Sequence, residues 1–192
     1  MSSIWQGNEI ELVTRAQGGD RNAFSELVRI HAQGVLHVVY RMCGDMRVAE
    51  DAAQETFIQA WLRLRSYRLG TSLRNWLYRI AVNIAIDMLR KEKRILPGAV
   101  EDLGLTDPLP GPETLAANSE QALTVQQAVL DLPDASRAVL VLREYEGLSY
   151  QEIAEALDIP VGTVMSRLNY ARKLLKEKLE VQLFSYAEVE NV

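Results

Sequence analysis

The sequence predicts an all-α protein of two small helical domains, joined by a flexible acidic linker, with a helix-turn-helix in the second domain. Apolar residues recur at helical spacing along most of the 192 residues, and the period-two alternation typical of strands is almost absent. Prolines and glycines crowd into one acidic interval, and two short helical segments near the end meet at a sharp corner. We expect the first domain at 1–94, the linker at 95–119, the second domain at 120–180 and a C-terminal tail of unknown role at 181–192.

Three helices are predicted in the first domain. Asp20 is a candidate N-cap for the first, which carries an apolar stripe and ends near Gly44. The segment RVAEDAAQETFIQAWLRLRSY forms the second, and Ser72 is a candidate N-cap for the third, LRNWLYRIAVNIAIDMLRKEKR. On that third helix one side is apolar, with Leu73, Leu77, Ile80, Ile84 and Met88, and the polar side chains of Arg79, Asn83 and Arg90 lie away from it.

The linker is predicted from composition. Seven breaker residues fall between positions 97 and 112, namely Pro97, Gly98, Gly104, Pro108, Pro110, Gly111 and Pro112. Such a segment sustains neither a helix nor a buried core, so we expect an extended tether. Helical periodicity resumes near Glu120 with QALTVQQAVLDLP and DASRAVLVLREYEG.

The corner lies within LSYQEIAEALDIPVGTVMSRLNYARKLL, residues 148–175. Asp158 occupies the turn, where a left-handed backbone is often needed and Asp tolerates it better than most residues. The second helix turns Val164, Leu168, Ala171 and Leu175 inward and leaves Met165, Ser166, Asn169, Tyr170 and Lys173 facing out. This is the pattern of a helix-turn-helix that enters a major groove, and an ordinary helical hairpin is the alternative.

Charge is segregated along the chain, although the formal net charge of −5 by itself argues weakly against nucleic-acid binding. Between Trp61 and Arg94 nine basic residues face only two acidic ones, and the C-terminal helix is basic again. Residues 95–136 contain no Lys or Arg. Two basic surfaces separated by an acidic stretch indicate two places that meet phosphates.

Several classes of protein are disfavoured by composition. No apolar run approaches the roughly 20 residues that span a bilayer, and the start of the chain lacks a signal-peptide pattern, so we expect a cytoplasmic protein. Cys43 is the only cysteine, which excludes an internal disulfide and favours a small core residue. Neither His31 nor His37 stands in a Glu-x-x-His pair that would complete a di-metal site with Glu50, Asp51 and Glu55. We therefore expect no metal, no cofactor and no enzymatic activity.

Three segments taken together resemble the extracytoplasmic-function group of the sigma-70 family of bacterial RNA polymerase sigma factors. They are AEDAAQETFIQAW (49–61), NWLYRIAVNIAIDMLRKEKR (75–94) and LPDASRAVLVLREYEGLSYQEIAEALDIPVGTVMSRL (132–168). The resemblance implies a subunit that binds core RNA polymerase and directs initiation at chosen promoters. It also implies control by an anti-sigma factor and a linker that threads towards the RNA channel of the polymerase. A helix-turn-helix regulator and a helical adaptor without polymerase binding are the alternatives.

The resemblance assigns the functional residues. Core-polymerase binding falls on Asp51, Gln54, Glu55, Ile58 and Trp61. Reading of the −10 promoter element as opened single strand falls on the loop 66–72 and the helix after it, with Tyr67, Arg68, Arg74, Arg79, Asn83 and Arg90. Reading of the −35 element as duplex falls on Met165, Ser166, Arg167, Asn169, Tyr170 and Lys173.

The sequence departs from the pattern of the family at three of its reading positions. Leu73 stands where an aromatic residue is common, Met165 where Lys or Arg is common, and Tyr170 where Arg is frequent. The loss of two cations from the −35 reader predicts weaker phosphate or guanine contact and an altered sequence preference.

Overall fold

The computed structural model describes the backbone of residues 3–95 and 120–189, and the side chains of residues 9–91 and 122–180. Over these ranges the chain is helical and contains no strand, as the sequence predicted. The helices are α1 (Ser3–Gln17), α2 (Arg21–Cys43), α3 (Met46–Arg63), α4 (Leu73–Ile95), α5 (Glu120–Leu130), α6 (Asp134–Leu140), α7 (Tyr150–Leu157) and α8 (Val161–Val189). A 3₁₀ turn, Leu64–Ser66, follows α3, and a π-helical turn, Val141–Tyr145, follows α6. Of the predicted linker only Ile95, the last residue of α4, is described.

The first lobe, residues 3–95, is built on α2, α3 and α4, which pack on one another, with α1 lying against α2. The predicted apolar stripe of α2 is confirmed, since Leu27, Val35, Val38 and Val39 are buried. The predicted core side of α4 and the exposure of Arg79, Asn83 and Arg90 are also confirmed. Helix α1 was not predicted, and it contributes Leu12, Val13 and Ala16 to the core.

Local signals fix where the helices of this lobe begin and end. The Asp20 carboxylate accepts hydrogen bonds from the backbone N–H groups of Asn22 and Ala23, and the N–H of Ala23 in particular lowers the pKa of Asp20. Gly44 ends α2 in the left-handed conformation, φ 79°, and its N–H donates to the carbonyl of Tyr40. The Ser72 hydroxyl accepts from the N–H of Asn75, so this predicted cap also forms.

The second lobe, residues 120–189, packs α5, α6 and α7 against α8. Its fully buried side chains come from every helical segment after α5 and include Leu142, Leu148, Ile153, Val164 and Leu168. Beyond Arg172 the helix α8 continues to Val189, which places most of the predicted tail in continuous helix.

The two lobes are in direct contact, which the sequence did not predict. Helix α4 packs against α7, and α2 packs against α5, α6 and the π-helical turn. The Gln126 side chain donates to the Tyr40 hydroxyl at 2.8 Å in a buried site. Arg137, 5% exposed, donates to the carbonyl of Met42 in α2 and to those of Leu130 and Leu132 in its own lobe. The lobes are therefore joined by buried hydrogen bonds as well as apolar packing.

Among the helices of the described residues, none combines the length and the apolar character needed to cross a bilayer.

Candidate polymerase and nucleic-acid interfaces

An open apolar cleft lies between α2 and α3. It encloses about 420 Å³ and is lined by Phe24, Val28, Gln54, Phe57, Ile58, Trp61 and Leu62. The rings of Phe24 and Trp61 are 4.9 Å apart and form the wall of the cleft. Ile58 and Leu62, successive turns of α3, are 46% and 68% exposed. Apolar side chains gathered in this way on a folded surface are typical of a protein-binding site.

Of the polar residues predicted to bind core polymerase, Gln54 lines this cleft, and Asp51 and Glu55 lie on the same helix, α3. Asp51 and Gln54 are exposed, and Glu55 is half-buried and accepts a hydrogen bond from the Gln59 side chain at 2.7 Å. All five residues predicted to bind core polymerase therefore lie on α3. Phe24, Val28 and Leu62 complete the cleft and were not predicted, because periodicity alone does not separate an apolar residue in the core from one at its open edge.

A second cleft, of about 290 Å³, lies between α1 and the loop that precedes α4. Glu9, Ile10 and Val13 line it from α1, and Tyr67 and residues 69–73 line it from the loop. The Gln17 side chain holds the loop to α1 by donating to the carbonyls of Leu64 and Tyr67, both at 2.9 Å. The residues from α1 were missed because that helix was not predicted.

Tyr67 is buried in this loop and forms part of the wall of the second cleft. Its hydroxyl donates to the Thr71 carbonyl at 2.5 Å, and its ring lies 5.1 Å from that of Trp76. Burial raises the pKa of Tyr67, so the phenol stays a neutral donor at physiological pH. Trp76 is half-buried and packs on the core, which fits a structural role better than that of an exposed stacking platform.

Helix α4 carries the remaining residues predicted to contact −10 DNA. Arg79, Asn83 and Arg90 are exposed and share one face, since they are four and seven residues apart. Arg68 is exposed in the loop before the helix, and Arg74 is exposed near the start of α4. Two of these arginines are paired with carboxylates of the second lobe: Arg79 lies 2.8 Å from Asp158 and Arg74 lies 3.9 Å from Glu152.

The predicted helix-turn-helix is formed by α7 and α8. Ser149 and Glu152 make a capping box at the start of α7, and the N–H of Ser149 lowers the pKa of the Glu152 carboxylate. Asp158 takes the left-handed conformation expected at the corner, φ 55°, and its N–H donates to the carbonyl of Ala154. The carbonyl of Pro160 accepts from the N–H groups of Thr163 and Val164, which starts α8 one residue after the proline.

The outward face of α8 matches the prediction. Val164, Leu168 and Ala171 are fully buried. Met165, Ser166, Asn169, Tyr170 and Lys173 are exposed, and Arg167 is half-buried. Met165 and Tyr170 expose 48% and 51% of their surface, so this face offers two large uncharged side chains. The Arg172 guanidinium, hydrogen-bonded to Glu144 at 2.7 Å, ties α8 to the π-helical turn.

The described residues offer no set of three or more His, Cys, Asp and Glu side chains that could hold a metal ion. His31 instead lies 2.7 Å from the Glu9 carboxylate, and Cys43 is buried in the core.

Comparison with known proteins agrees with this architecture. The family model described as "Sigma-70 region 2" matches residues 27–95, and that described as "Sigma-70, region 4" matches residues 122–175. The chain is 38% identical over 176 residues to the ECF RNA polymerase sigma factor SigW of Bacillus subtilis, covering 87% of this chain and 94% of SigW. It is 37% identical over 187 residues to the RNA polymerase sigma-H factor of Pseudomonas aeruginosa, covering 92% and 96%.

Solved structures of similar fold include CnrH in complex with the cytosolic domain of CnrY, with a TM-score of 0.68 and 24% identity, covering 91% of this chain and 98% of CnrH. The sigma factor RpoE in complex with the anti-sigma factor NepR, from Bartonella quintana, has a TM-score of 0.67 and 24% identity, covering 82% and 97%. The two matched regions, the curated relatives and the shared fold lead to one conclusion. The chain belongs to the extracytoplasmic-function group of the sigma-70 family of bacterial RNA polymerase sigma factors, which direct transcription initiation and are not enzymes.

Proposed function

We propose that this sigma factor binds core RNA polymerase through the cleft between α2 and α3. The observation that carries the proposal is the exposure of Ile58 and Leu62 beside the Phe24–Trp61 wall, with Asp51 and Gln54 at its edge. Apolar anchors rimmed by acidic and polar groups favour a helical partner with a basic rim. A helix-turn-helix regulator that acts through DNA alone has no need of this surface, and binding to core polymerase is what separates the proposal from a helical adaptor.

Ile58→Asp tests the assignment, because it places a charge among the apolar anchors. We expect the affinity for purified bacterial core polymerase, measured by fluorescence anisotropy, to fall at least roughly tenfold. Ile30→Asp is the matched control, since Ile30 is 53% exposed on α2 but does not line the cleft. Equal affinities for the two variants would remove the cleft from the interface.

For the −10 element we propose that the loop before α4 captures an unstacked base in the cleft beside Tyr67, while the arginines of α4 follow the phosphates. A cleft of about 290 Å³ between α1 and the loop supports the proposal, and Arg79 and Arg90 share a face with Asn83, whose amide can bond to a base edge. Arginines near a path for single-stranded DNA neutralise phosphates without reading sequence.

For the −35 element we propose that α8 enters the major groove of duplex DNA. Ser166, Asn169 and Tyr170 point away from the core at the spacing that reaches successive base pairs. Tyr170 has no cationic group, so a contact with a thymine methyl or a phosphate replaces guanine recognition there.

A reconstituted transcription assay tests both DNA assignments. The purified chain and core polymerase are given a pool of randomised promoters, and the initiated RNAs are sequenced. Paired upstream and start-proximal motifs are the expected result. Core binding without initiation would contradict the DNA assignments, and a failure to bind core would contradict the polymerase surface.

We further propose that the chain acts in the cytoplasm, where bacterial RNA polymerase works, and that an anti-sigma factor holds it inactive. Two findings support this proposal. The chain belongs to a family of sigma factors, and RpoE, a sigma factor of similar fold, forms a complex with the anti-sigma factor NepR. Affinity purification from the native host, followed by addition of each recovered protein to the transcription assay, tests this. A specific partner that suppresses initiation is expected.

A further inference from the structure

Glu9 is the one charged residue among the described residues that line the cleft beside Tyr67. The other lining residues are apolar, carry a hydroxyl group or are glycine. A phosphate group in this cleft would therefore meet a carboxylate and no lysine or arginine. The cleft is thus poorly suited to the backbone of DNA and better suited to a neutral group that donates a hydrogen bond.

The Glu9 carboxylate is held in place by His31 of α2. Its Oε1 atom lies 2.7 Å from Nε2 of His31, and the His31 side chain is only 10% exposed. Because an ionised carboxylate can only accept hydrogen bonds, the ring nitrogen donates. Among the described residues the other oxygen of Glu9, Oε2, has no hydrogen-bond donor. One oxygen of a positioned carboxylate is therefore available to a ligand.

The hydroxyl groups around the cleft give little in return to a ligand that accepts hydrogen bonds. The Tyr67 hydroxyl donates to the carbonyl of Thr71, and the Thr71 hydroxyl donates to the carbonyl of Arg68 at 2.9 Å. Burial, and to a lesser degree the charge of nearby Glu9, raise the pKa of Tyr67, so the phenol keeps its proton in that bond. The side chains of the cleft are therefore better suited to accept a hydrogen bond than to donate one.

The four DNA bases differ in the group that would meet Glu9. Adenine, cytosine and guanine each carry an exocyclic amino group, whereas thymine carries carbonyl oxygens. A carboxylate accepts from an amino group and repels a carbonyl oxygen. Ile10 of α1 and Leu69 of the loop are 49% and 48% exposed at the same cleft, and they offer apolar surface to the faces of a ring.

We infer that Glu9 is a specificity-determining residue, which accepts a hydrogen bond through Oε2 from the exocyclic amino group of the captured base and disfavours thymine. The inference rests on the proposed capture of a −10 base in this cleft. His31 is a positioning residue, because it holds Glu9 without lining the cleft. The arginines of α4 supply affinity for the strand, and Glu9 supplies the choice of base at one position.

The randomised-promoter assay tests the inference when wild type, Glu9→Ala and Glu11→Ala are each combined with core polymerase. Glu11 is the matched control, since it is exposed on the same helix and does not line the cleft. At one position of the start-proximal motif, Glu9→Ala should lower the preference for an amino-bearing base over thymine by roughly three- to tenfold, as the loss of one hydrogen bond to a charged acceptor predicts. Glu11→Ala should stay within about twofold of wild type at every position.

Glu9→Gln is the second variant, for use if loss of the His31 contact unfolds Glu9→Ala in urea denaturation. The amide oxygen can keep the contact with His31, which turns an N–H donor towards the cleft. The frequency of thymine at the same position should then rise above that of wild type.

Base analogues test the hydrogen bond itself. The amino-bearing base found at that position is replaced by the same ring without its amino group, namely purine for adenine, 2-pyrimidinone for cytosine or hypoxanthine for guanine. The promoters are premelted by mismatches across the −10 element, so that no base pair is lost with the amino group. The analogue should slow initiation by wild type roughly three- to tenfold and initiation by Glu9→Ala by less than about twofold.

The outcomes separate this inference from the proposed −10 role of the cleft. If wild type yields no start-proximal motif, the proposed role fails and the inference fails with it. If the motif forms and Glu9→Ala leaves every base frequency unchanged, only the inference fails, and the cleft would then better suit a cationic side chain of a protein partner. An equal effect of the analogue on wild type and Glu9→Ala would also overturn the inference alone.

Discussion

The two helices assigned to DNA, α4 and α8, are presented in different ways. Met165 and Tyr170 of α8 are about half exposed, and the side of the helix behind them is fully buried in its own lobe. On α4, Arg74 and Arg79 meet carboxylates of the other lobe, and Tyr78 beneath them is 3% exposed. Among the described residues, the proposed duplex-reading face of α8 therefore carries no recorded side-chain ion pair to the first lobe, whereas two exposed arginines of the proposed single-strand-reading helix take part in the lobe contact.

The largest expected effect comes from breaking the buried side of the lobe contact. Arg137→Met removes the donor for the carbonyls of Met42, Leu130 and Leu132 and should lower the free energy of unfolding by about 3 kcal/mol. Burial already lowers the pKa of this guanidinium, and Asp134 at 3.5 Å partly offsets that effect. Urea denaturation measures the loss.

Arg172→Met serves as the comparison for that experiment. Arg172 is about half exposed and pairs with Glu144, so its loss should cost at most about 1 kcal/mol. Similar losses for the two variants would show that the buried hydrogen bonds of Arg137 stabilise the protein no more than an exposed ion pair does.

Gly34, within α2, tests how closely this helix packs against Tyr78 of α4. A carbon added at Gly34 would lie 2.6 Å from the Tyr78 hydroxyl, and the buried ring has little room to move. Gly34→Ala should therefore cost about 1–2 kcal/mol, although Ala is favoured over Gly in a helix by about 1 kcal/mol. Thermal or urea denaturation measures the change.

Tyr78→Phe should reverse the sign of the Gly34 substitution. Without the hydroxyl, the nearest ring atoms lie at 3.6 Å, an ordinary contact. In the Tyr78→Phe background Gly34→Ala should be neutral or stabilise by up to about 1 kcal/mol. A substitution that costs the same in both backgrounds would show that the hydroxyl is not what requires a glycine at position 34.

The capping box of α7 gives a smaller effect that depends on pH. Ser149→Ala should cost about 1 kcal/mol at neutral pH. The folded pKa of Glu152 lies below its ordinary value of 4.5, so its stabilisation is complete above that pH and is lost as the pH falls through the folded pKa. Denaturation of wild type and variant from pH 7 to pH 3 should show the difference between them narrowing below pH 4.5. A constant difference would show that the Ser149 hydroxyl does not contribute to the low pKa of Glu152.

The smallest effect on stability, and a clear one on DNA binding, is expected at α8. Tyr170→Arg should change the free energy of unfolding by less than about 0.5 kcal/mol, because Tyr170 is 51% exposed. The dependence of log affinity for duplex DNA on log salt should steepen by about 0.9 for one added phosphate contact. Leu123→Arg, on the exposed surface of α5, adds the same charge on another helix and should leave the slope unchanged.

Much of the architecture could be predicted because it depends on short-range signals. The caps at Asp20 and Ser72, the left-handed Asp158 and the outward face of α8 follow from spacing and from the preferences of single residues. Helix α1 was missed because its buried residues, Leu12, Val13 and Ala16, make too short a pattern to stand out from a polar surrounding. Because α1 was not predicted, the residues of α1 that line the cleft beside Tyr67 were not predicted either.

The contact between the lobes could not be predicted because none of its partners is close in sequence. Arg79 and Asp158 are 79 residues apart, and Met42 and Arg137 are 95 residues apart. Charge segregation showed that basic and acidic segments exist, yet it did not show which of them meet. A composition that indicates a tether is equally compatible with lobes that pack together.

The corner of the helix-turn-helix has a consequence for how this protein can vary. Glycine suits a left-handed corner best, and an aspartate there accepts some backbone strain. Asp158 also supplies the oxygen that meets Arg79, which a glycine cannot do. Asp158 therefore serves both the corner and the lobe contact, and Asp158→Gly would relieve the backbone strain while removing this ion pair between the lobes. A glycine at this corner would therefore suit the backbone of the turn and leave Arg79 without its partner in the second lobe.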